Sequence, residues 1–520
     1  MLVSDIIRRN AQYSGDYDAV VVPGGKAWNW SQLHVRTNQF ANALLSLGLG
    51  KGDRFAIYAP NCSEYIDFFF SCAKSGVIGA PTNIRLSPTE TGGYLSYVEP
   101  TAVLVHASLA DSARSWLPKV PSIKYVIGFG GEHGLDLDLE TLVATGSTDD
   151  PAQKILESDV YQLGATSGTT GVPKAALLTH RNAIAAMITW AAELDIPEHA
   201  SALQNIPYFF NPGGPAGLHP VLMKGGRTVV PASFDPADFP RLVQEYEITN
   251  TIIVPTMVQM VVSHPDCEKY DMSSLRGVMS GGSPLSASVL KHAREVMGDV
   301  LYPIYGMAES YSCGAILRPE NMFTEGTPQQ LRQLLSVGKP EVTMGLRVVD
   351  LKGHDVSTDG STTGEIWLAG DPMSPGYFRM DNETAITREN GWFKTGDVGV
   401  IDARGFITIV DRLKDMIITG GINVFSIEVE QALLQHPAVA QAAVIGLPHP
   451  TWGEAIHAVV VRQKGSALEA GELVEFVGRL LASYKKPRSV EFVDELPISA
   501  TGKILKRELR NQPRADGGSK

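Results

Sequence analysis

The chain has 520 residues, of which 44% are hydrophobic and 19% are charged, so it is too long for one hydrophobic core and too apolar for an intrinsically disordered protein. Its formal charge of −12, without a long basic run, argues against binding to nucleic acid. Its four widely spaced cysteines argue against a disulfide framework or a zinc site, which fits a reducing cytoplasm. We recognise neither a signal peptide nor an apolar run long enough to span a membrane.

The N-terminal part of the chain, up to about residue 330, alternates strand-like apolar runs with helical patterns. Strand-like runs lie at 54–58, 77–81, 101–106, 227–231, 251–255 and 277–280. A helical pattern at 65–75 separates the first two runs, and similar patterns flank the later ones. Alternation of this kind predicts an α/β architecture with helices on the faces of a sheet.

Beyond residue 337 the apolar runs become shorter and are broken by glycine, as at 365–370 and 405–410. This pattern is typical of antiparallel β structure. A compact βα pattern then restarts, with a helix predicted to begin at Ser426 and strands predicted at 442–447 and 456–461.

The change of pattern predicts a domain boundary at Lys414. We therefore expect an N-terminal domain of residues 1–413 and a C-terminal domain of residues 414–520. A second, smaller domain is also what the length of the chain requires.

The segment from Thr166 to Lys174 reads Thr-Ser-Gly-Thr-Thr-Gly-Val-Pro-Lys and lies between two strand-like runs. Its glycines allow close backbone approach, its hydroxyls add donors and its lysine adds positive charge, so such a loop can bind phosphates. The loop differs from a Walker A loop in its glycine-to-lysine spacing and in Ala175, which follows the lysine where Ser or Thr would bind magnesium. The alternative is a flexible Gly/Ser/Thr linker.

At these residues the chain resembles the adenylate-forming superfamily of acyl- and aryl-CoA ligases, peptide-synthetase adenylation domains and beetle luciferases. Further motifs follow in the order of that family: 280–284, 305–309, Thr395-Gly396-Asp397, 411–415, Gly420-Gly421 and 497–509. The resemblance covers nearly the whole chain. It implies an α/β fold whose large N-terminal domain combines stacked αβ subdomains with a β-rich subdomain, followed by a small mobile α+β C-terminal domain.

The resemblance assigns most motif residues to ATP and AMP. Tyr305 offers an aromatic face to adenine, and Glu309 is a catalytic residue that offers a hard oxygen ligand to Mg²⁺, with Thr166 as a second metal ligand. Asp397, expected in a tight turn, accepts both ribose hydroxyls, and Arg412 is the second ribose contact. The complete predicted set is Thr166, Ser167, Gly168, Thr169, Thr170, Gly171, Lys174, Gly282, Ser283, Pro284, Tyr305, Gly306, Met307, Ala308, Asp397 and Arg412.

The second catalytic residue implied by the resemblance is Lys503, which follows a glycine. In the family this lysine reaches the carboxylate and the α-phosphate, where its charge stabilises the transition state more than the ground state. Taken alone, Lys503 would be a surface lysine, Glu309 a solvated helix-end carboxylate, and Thr-Gly-Asp an ordinary β-turn.

An aromatic and glycine-rich segment after Pro207 predicts the acid-binding pocket. The predicted pocket residues are Tyr208, Phe209, Phe210, Asn211, Gly213, Gly214, Gly281 and Met307. They suit a hydrophobic acid that is aromatic, medium-chain or bulky and alicyclic, although the aromatics could equally be plain core. The absence of acidic residues between Pro207 and Pro220 argues against an amino acid substrate.

Two positions depart from the family pattern. Ala308 stands where threonine commonly contacts the α-phosphate, and Phe210 stands at the position of a histidine. Alanine cannot donate a hydrogen bond, and the role of that histidine does not transfer to phenylalanine.

For the acceptor, the resemblance implies coenzyme A. Its predicted contacts are Gly420, Gly421, Trp452, Tyr484, Lys485 and Lys486, and Lys414 is the predicted hinge of the C-terminal domain. The leading hypothesis is an AMP-forming acyl-CoA ligase that uses a small carboxylic acid, ATP, Mg²⁺ and CoA. The alternatives are transfer of the acyl group to a carrier protein, and a nucleotide-binding protein without catalysis. Whether the protein forms a homodimer is left open by the sequence.

Overall fold

The computed structural model describes residues 1–166, 174–210, 214, 219–282, 285–498 and 504–512. The chain forms two compact units. The large unit contains Met1–Leu346 and Leu368–Phe393, and the small unit contains Arg347–Trp367 and Lys394–Lys520. The fold class predicted from the sequence is confirmed, whereas the domain division at residue 414 stays a prediction.

The large unit contains a seven-stranded sheet near its N-terminal end. In spatial order its strands are Leu137–Asp138, Tyr125–Phe129, Ala102–His106, Arg54–Tyr58, Ile78–Pro81, Val160–Thr166 and Lys174–Thr179. All neighbours are parallel except the last two strands, which pair antiparallel. The apolar runs predicted as strands at 54–58, 77–81 and 101–106 are therefore confirmed, and their near-continuous burial is typical of parallel strands covered on both faces.

A nine-stranded sheet forms the second layer of the large unit. Its strands are, in spatial order, Lys339–Pro340, Gly314–Ile316, Leu301–Gly306, Gly277–Gly281, Asn250–Ile252, Ser201–Leu203, Arg227–Val229, Asp18–Val21 and Ala27–Asn29. The six central strands are parallel, and antiparallel strands close both edges. In such sheets ligands bind beyond the carboxyl ends of parallel strands, which here include Gly281 and Gly306.

Helices cover these sheets. Those of the large unit are Val3–Tyr13, Trp30–Ser46, Glu64–Ser75, Pro88–Val98, Ala110–Trp116, Leu139–Thr145, His180–Glu193, His219–Met223, Asp238–Glu245, Pro255–Val262, Ala287–Met297, Pro328–Gln333 and Asp381–Ile386. Several begin at a side-chain cap: Asn29, Ser87 and Thr179 each accept a hydrogen bond from the backbone N–H three residues later. Single 3₁₀ turns lie at Ala107–Leu109, Leu117–Lys119, Cys267–Lys269, Ala308–Ser310 and Pro319–Asn321.

The helix Glu64–Ser75 is buried over almost its whole length. The ring of Phe68 packs against Phe55 of the seven-stranded sheet, with centroids 5.2 Å apart. The next ring, Phe69, packs against Tyr208, with centroids 6.1 Å apart. The burial of residues on all its faces shows that other elements of the fold enclose this helix.

A five-stranded sheet follows, and the boundaries between the two units cut three of its strands. Its path is Met344–Val349, Gly364–Gly370, Trp392–Ile401 and Arg388–Glu389, with Ile407–Arg412 paired to Trp392–Ile401. The pairings of Trp392–Ile401 with Arg388–Glu389 and Ile407–Arg412 are antiparallel, as predicted from the short glycine-broken runs.

The small unit has its own mixed sheet. Its strands are Ile422–Val424, Ile417–Thr419, Gly453–Arg462 and Val439–His449, with Ser489–Val493 parallel to Gly453–Arg462. The helices Ser426–Leu434, Ala470–Leu480 and Lys506–Asn511 and the 3₁₀ turn Ser483–Lys485 complete the unit. The helix predicted to begin at Ser426 is confirmed, and Asp411 caps it by accepting hydrogen bonds from the Ser426 backbone and hydroxyl. None of the described helices is long and apolar enough to cross a bilayer.

Candidate active site

The segment predicted to bind phosphate lies between two antiparallel strands of the seven-stranded sheet. Thr166 ends the first strand and is paired directly with Lys174, which begins the second. The intervening Ser167, Gly168, Thr169, Thr170 and Gly171 lie outside the described residues. The predicted strand–loop–strand context is therefore confirmed at both ends, with Thr166 and Lys174 brought side by side.

Lys174 is held in place by two neighbours of the large unit. Its Nζ lies 2.5 Å from the Oε2 atom of Glu383 and 5.1 Å from the centroid of the Tyr377 ring. The lysine side chain is only 15% exposed. A partly desolvated ion pair combined with an aromatic face fixes the direction of an otherwise flexible side chain. The sequence predicted Lys174 as a phosphate contact but gave no sign of Glu383 or Tyr377 as its partners.

Glu309 lies in the 3₁₀ turn Ala308–Ser310, which follows the strand Leu301–Gly306. The residue is buried, and its Oε1 atom accepts a hydrogen bond of 2.6 Å from the Tyr377 hydroxyl. Its backbone carbonyl accepts a second hydrogen bond, from the Ser374 N–H, at 2.6 Å. Both the main chain and the carboxylate of Glu309 are therefore fixed, and Glu309 is not a solvated helix-end carboxylate.

The predicted adenine contacts lie at the carboxyl ends of two neighbouring parallel strands. Gly281 pairs with Ile304, one residue before Tyr305. Gly306 has no room for a side chain, because a Cβ atom there would lie 2.0 Å from the carbonyl oxygen of Ser312. Tyr305, Gly306, Met307 and Ala308 are partly exposed and Gly282 is exposed, whereas Ser283 and Pro284 lie outside the described residues. This edge of the sheet is accessible to a ligand.

Two aromatic residues of the predicted acid pocket are buried. Tyr208 has no exposed surface, and its ring stacks on Tyr65 with centroids 4.9 Å apart. Phe209 is also buried. Burial of this kind suits the alternative of plain core, whereas the role of Tyr208 and Phe209 as pocket walls stays a prediction.

The rest of the predicted pocket remains partly accessible. Phe210, Gly281 and Met307 are partly exposed. Gly214 is buried, and a Cβ atom there would lie 3.0 Å from the ring of Phe69, so glycine is needed for close packing on the helix Glu64–Ser75. Asn211 and Gly213 lie outside the described residues.

His219, which is not among the residues predicted from the sequence, lies next to this segment. It is fully buried, and neither ring nitrogen has a hydrogen-bond partner among the described residues. Its ring packs on the edges of Phe69 and Phe70, with centroids 5.2 Å and 5.9 Å away. Burial lowers the pKa of His219 to about 3, so the imidazole is neutral at physiological pH. A single histidine in an apolar stretch gives no sequence signal for this environment.

Asp397 and Arg412 face each other in the small unit. They are directly paired residues on the antiparallel strands Trp392–Ile401 and Ile407–Arg412, and the Arg412 Nε atom lies 3.2 Å from the Asp397 Oδ1 atom. Asp397 is buried and the Arg412 side chain is 42% exposed. The two predicted ribose contacts are thus brought together, with the guanidinium open to solvent.

The prediction that Thr-Gly-Asp forms a tight turn is wrong, because all three residues lie inside the strand Trp392–Ile401. Gly396 has φ +73°, a left-handed conformation that bends the strand and requires glycine. The Thr395 hydroxyl accepts a hydrogen bond from the Asp397 N–H at 3.0 Å and donates one to the carbonyl of Ile366 at 2.7 Å. The motif is therefore an irregularity within a strand that orients Asp397.

The glycine pair predicted to contact CoA forms the turn of a hairpin. Gly420 and Gly421 connect the strands Ile417–Thr419 and Ile422–Val424 and have φ values of +58° and +79°. A Cβ atom on Gly420 would lie 3.1 Å from the ring of Trp452, whose backbone carbonyl accepts the Gly420 N–H at 2.8 Å. Three predicted CoA contacts, Gly420, Gly421 and Trp452, are therefore adjacent in the small unit.

The remaining predicted residues of the small unit have mixed surroundings. Tyr484 is exposed, whereas the Lys485 Nζ atom forms an ion pair with Glu428 at 2.6 Å. Lys486 is partly exposed. Burial, followed by the charge of Arg412, lowers the pKa of Lys414 below its usual value. Lys503 lies outside the described residues.

The acidic residues of the site suit a magnesium ion that arrives with a nucleotide. Among the described residues no three His, Cys, Asp or Glu side chains converge on a metal site. Mg²⁺ keeps several waters and is usually bound by one or two carboxylates together with substrate phosphates. The buried carboxylate of Glu309 fits that requirement, and the Thr166 hydroxyl stays a predicted second ligand.

Comparison with known proteins gives the family. The model described as "AMP-binding enzyme" matches residues 7–378, and "AMP-binding enzyme C-terminal domain" matches residues 428–503. A feruloyl-CoA synthase of Amycolatopsis sp. is 34% identical over 490 residues, which cover 94% of both chains. A fatty acid–[acyl-carrier-protein] ligase, ScoC of Streptomyces coeruleorubidus, is 31% identical over 517 residues, covering 98% of this chain and 96% of the relative.

Solved structures agree with these sequence comparisons. The crystal structure of ATP-bound MatB from Rhodopseudomonas palustris superimposes with a TM-score of 0.86 at 27% identity and covers 98% of both chains. The family predicted from the motifs is confirmed. The chain belongs to the AMP-binding enzymes, in their branch of AMP-forming acid–thiol ligases.

Proposed function

We propose that this protein is an acyl-CoA ligase that activates a hydrophobic carboxylic acid. In the first step a carboxylate oxygen attacks the α-phosphorus of ATP, the bond to the bridging oxygen breaks and diphosphate leaves. In the second step the thiolate sulfur of CoA attacks the acyl carbon and AMP leaves. The observation that carries the proposal is the buried cluster of Glu309, Tyr377 and Lys174, which joins the end of the phosphate-binding segment to the proposed magnesium ligand.

The chain's own residues supply binding and charge for the first step. Lys174 is fixed by Glu383 at the end of the phosphate loop and brings positive charge to the phosphates. Asp397 and Arg412 bind the ribose. Lys503 stabilises the charge that develops on the α-phosphate oxygens. When bound, Mg²⁺ neutralises the charge of the phosphate oxygens, and Glu309 holds it.

Two departures from the family pattern alter this proposed machinery. Ala308 removes one hydroxyl contact to the α-phosphate, so the backbone of the 305–309 segment and Lys503 carry more of the binding. Phe210 is partly exposed and replaces a histidine, so that position is apolar. An apolar wall beside the reacting carboxylate favours a hydrophobic acid.

The proposed acid is aromatic, medium-chain or bulky and alicyclic. The partly exposed Phe210, Gly281 and Met307 form its proposed apolar contacts, and they are uncharged. The similarity to a feruloyl-CoA synthase supports an aromatic acid in particular. Pockets of this type bind mainly through apolar contacts and select by shape.

A second candidate function is transfer of the acyl group to a carrier protein. The similarity to a fatty acid–[acyl-carrier-protein] ligase over 98% of this chain favours it. The hairpin at Gly420-Gly421, with the exposed ring of Trp452 beside it, supports delivery of a pantetheine thiol. Free CoA and a carrier protein both present a pantetheine thiol. Only an assay that compares the two acceptors can therefore distinguish the two functions.

The experiment is a panel of acids assayed for diphosphate release with and without CoA. We expect diphosphate with an aromatic, medium-chain or alicyclic acid and a marked rise in turnover on addition of CoA. Acetate and free amino acids serve as controls and should have a lower kcat/KM. Turnover with a holo carrier protein that bears a free pantetheine thiol, but not with CoA, would establish the second function, and no diphosphate with any acid would refute both.

A further inference from the structure

A short segment of the large unit contacts both of the motifs proposed to bind the nucleotide. We call residues 374–378 the strap. The Ser374 N–H donates to the backbone carbonyl of Glu309 at 2.6 Å. The strap also pairs with the strand Lys174–Thr179: the Leu177 N–H donates to the carbonyl of Gly376 at 2.8 Å, and the Phe378 N–H donates to the carbonyl of Ala175 at 2.8 Å.

Tyr377 is the residue of the strap that lies between the two motifs. It is 5% exposed, its hydroxyl donates to Glu309 Oε1 at 2.6 Å, and its ring faces the Nζ atom of Lys174. A phenol carries its proton at neutral pH, so the Tyr377 hydroxyl is the donor and the Glu309 carboxylate the acceptor of this hydrogen bond.

The hydrogen bond fixes the orientation of a carboxylate that has to bind a cation. A carboxylate without such a donor can rotate about its final torsion, and ordering it on binding would cost conformational entropy. Hydrogen bonds of this kind orient metal ligands, and their loss typically weakens metal affinity about 10- to 100-fold. The same ring also contacts Lys174, so one side chain orients both a proposed cation ligand and a proposed phosphate ligand.

We propose that Tyr377 is a positioning residue that orients Glu309 for the magnesium of MgATP. Tyr377 touches neither substrate nor metal and acts through the Glu309 carboxylate. The inference rests on the proposed function, because it presupposes that this site binds MgATP. It adds a residue that lies 68 positions from Glu309 and outside every motif predicted from the sequence.

Tyr377→Phe tests the proposal, because it removes the hydroxyl and keeps the ring beside Lys174. The binding of ATP would be measured by titration calorimetry over a series of Mg²⁺ concentrations and in EDTA. We expect MgATP to bind about 10-fold more weakly, which is about 1.4 kcal/mol. The Mg²⁺ concentration for half-maximal binding should rise, whereas binding of ATP in EDTA should equal that of the wild type.

Tyr97→Phe is the matched control. The Tyr97 hydroxyl donates to the backbone carbonyl of Phe378, so this variant also removes one phenol hydrogen bond to the strap but leaves Glu309 untouched. We expect its Mg²⁺ dependence to equal that of the wild type. A purely structural strap would make both variants lose MgATP affinity in parallel with their thermal stability, and that result would overturn the proposal.

A double-mutant cycle with Glu309→Gln provides a second test, which compares affinities among several variants and so does not rely on the stability of Tyr377→Phe alone. In the Glu309→Gln background, Tyr377→Phe should have little further effect on MgATP affinity, because the two residues act as one unit. Additive losses, or a Tyr377→Phe variant with an unchanged Mg²⁺ dependence, would overturn the positioning role alone. Failure of the wild type to bind MgATP would instead refute the proposed function.

Discussion

Replacement of Asp397 by asparagine tests whether this carboxylate accepts hydrogen bonds from the ribose hydroxyls of ATP. Asp397 is buried and lies 3.2 Å from the Arg412 guanidinium, so its side chain is oriented before any nucleotide binds. Asparagine keeps one oxygen acceptor but presents an N–H₂ donor in place of the other. One ribose hydroxyl therefore loses its acceptor, and the other loses a charged one.

The expected magnitude follows from the strength of a charged hydrogen bond. Such bonds contribute about 1.5–3 kcal/mol, so we expect Asp397→Asn to weaken MgATP binding roughly 10- to 150-fold. If Asp397 accepts both hydroxyls, 2′-deoxyATP and 3′-deoxyATP should each bind the wild type more weakly than ATP. For Asp397→Asn, the affinity difference between ATP and each deoxynucleotide should be smaller than for the wild type, because the variant has already weakened the hydrogen bond that the missing hydroxyl would make.

The assay is titration calorimetry of the three nucleotides against the wild type, Asp397→Asn and Asp494→Asn. Asp494 is an exposed carboxylate and serves as the matched control, with no change expected. Thermal denaturation of each variant checks whether the loss of the Arg412 ion pair disturbs the fold. If Asp397→Asn lowered the affinity for all three nucleotides by the same factor, or left the affinity for ATP unchanged, the proposed contact of Asp397 with the ribose would be refuted.

Three further predictions concern catalysis, the thiol step and acid stability. Lys503→Ala should slow diphosphate formation about 10²-fold or more but still convert supplied acyl-AMP and CoA to thioester, and parallel loss of both half-reactions would contradict this. Gly421→Leu, which places a bulky side chain at φ +79° in the hairpin turn, should block thioester formation and spare diphosphate release; equal loss of both would speak against a thiol channel there. The pKa of His219 is about 3 when folded, well below the unfolded value, so the unfolded state binds more protons and stability falls below about pH 6.5. His219→Phe should therefore reduce the stability lost between pH 7 and pH 5 by about 2 kcal/mol in urea denaturation, and an unchanged pH dependence would argue against a buried neutral imidazole.

The sheet architecture and the ends of the phosphate loop could be predicted because their signals are local. The apolar run at 54–58 and the helical pattern at 65–75 reflect periodicities of neighbouring residues, and the structure places a strand and a helix there. The Gly/Ser/Thr-rich stretch between two strands likewise carries its information within a few positions. Such features require no knowledge of distant contacts.

The hydrogen bond between Tyr377 and Glu309 could not be predicted in this way. It joins residues 68 positions apart, and it depends on the strap lying beside the strand Lys174–Thr179. The ion pair between Lys174 and Glu383 is similarly distant in sequence. Contacts of this kind follow from tertiary packing and leave no periodic signal.

The conformation of one motif and the burial of one aromatic residue could not be predicted for the same physical reason. Thr395, Gly396 and Asp397 are residue types that suit a turn, and only the pairing of Asp397 with Arg412 shows that they belong to a strand. Tyr208 has the same composition signal whether it lines a pocket or fills a core, and only the structure shows that its ring is buried and stacks on Tyr65. Residue type restricts the local conformation, but contacts with residues distant in sequence determine whether a segment forms a turn or a strand and whether a side chain is buried.

The most direct test of an acyl-AMP pathway uses the preferred acid labelled with ¹⁸O in both carboxyl oxygens. The products formed with ATP and CoA would be analysed by mass spectrometry. If the carboxylate attacks the α-phosphorus, AMP must carry one ¹⁸O atom and the acyl-CoA must keep the other. Formation of unlabelled AMP, or of ADP and phosphate, would contradict adenylation of the acid and with it the central claim.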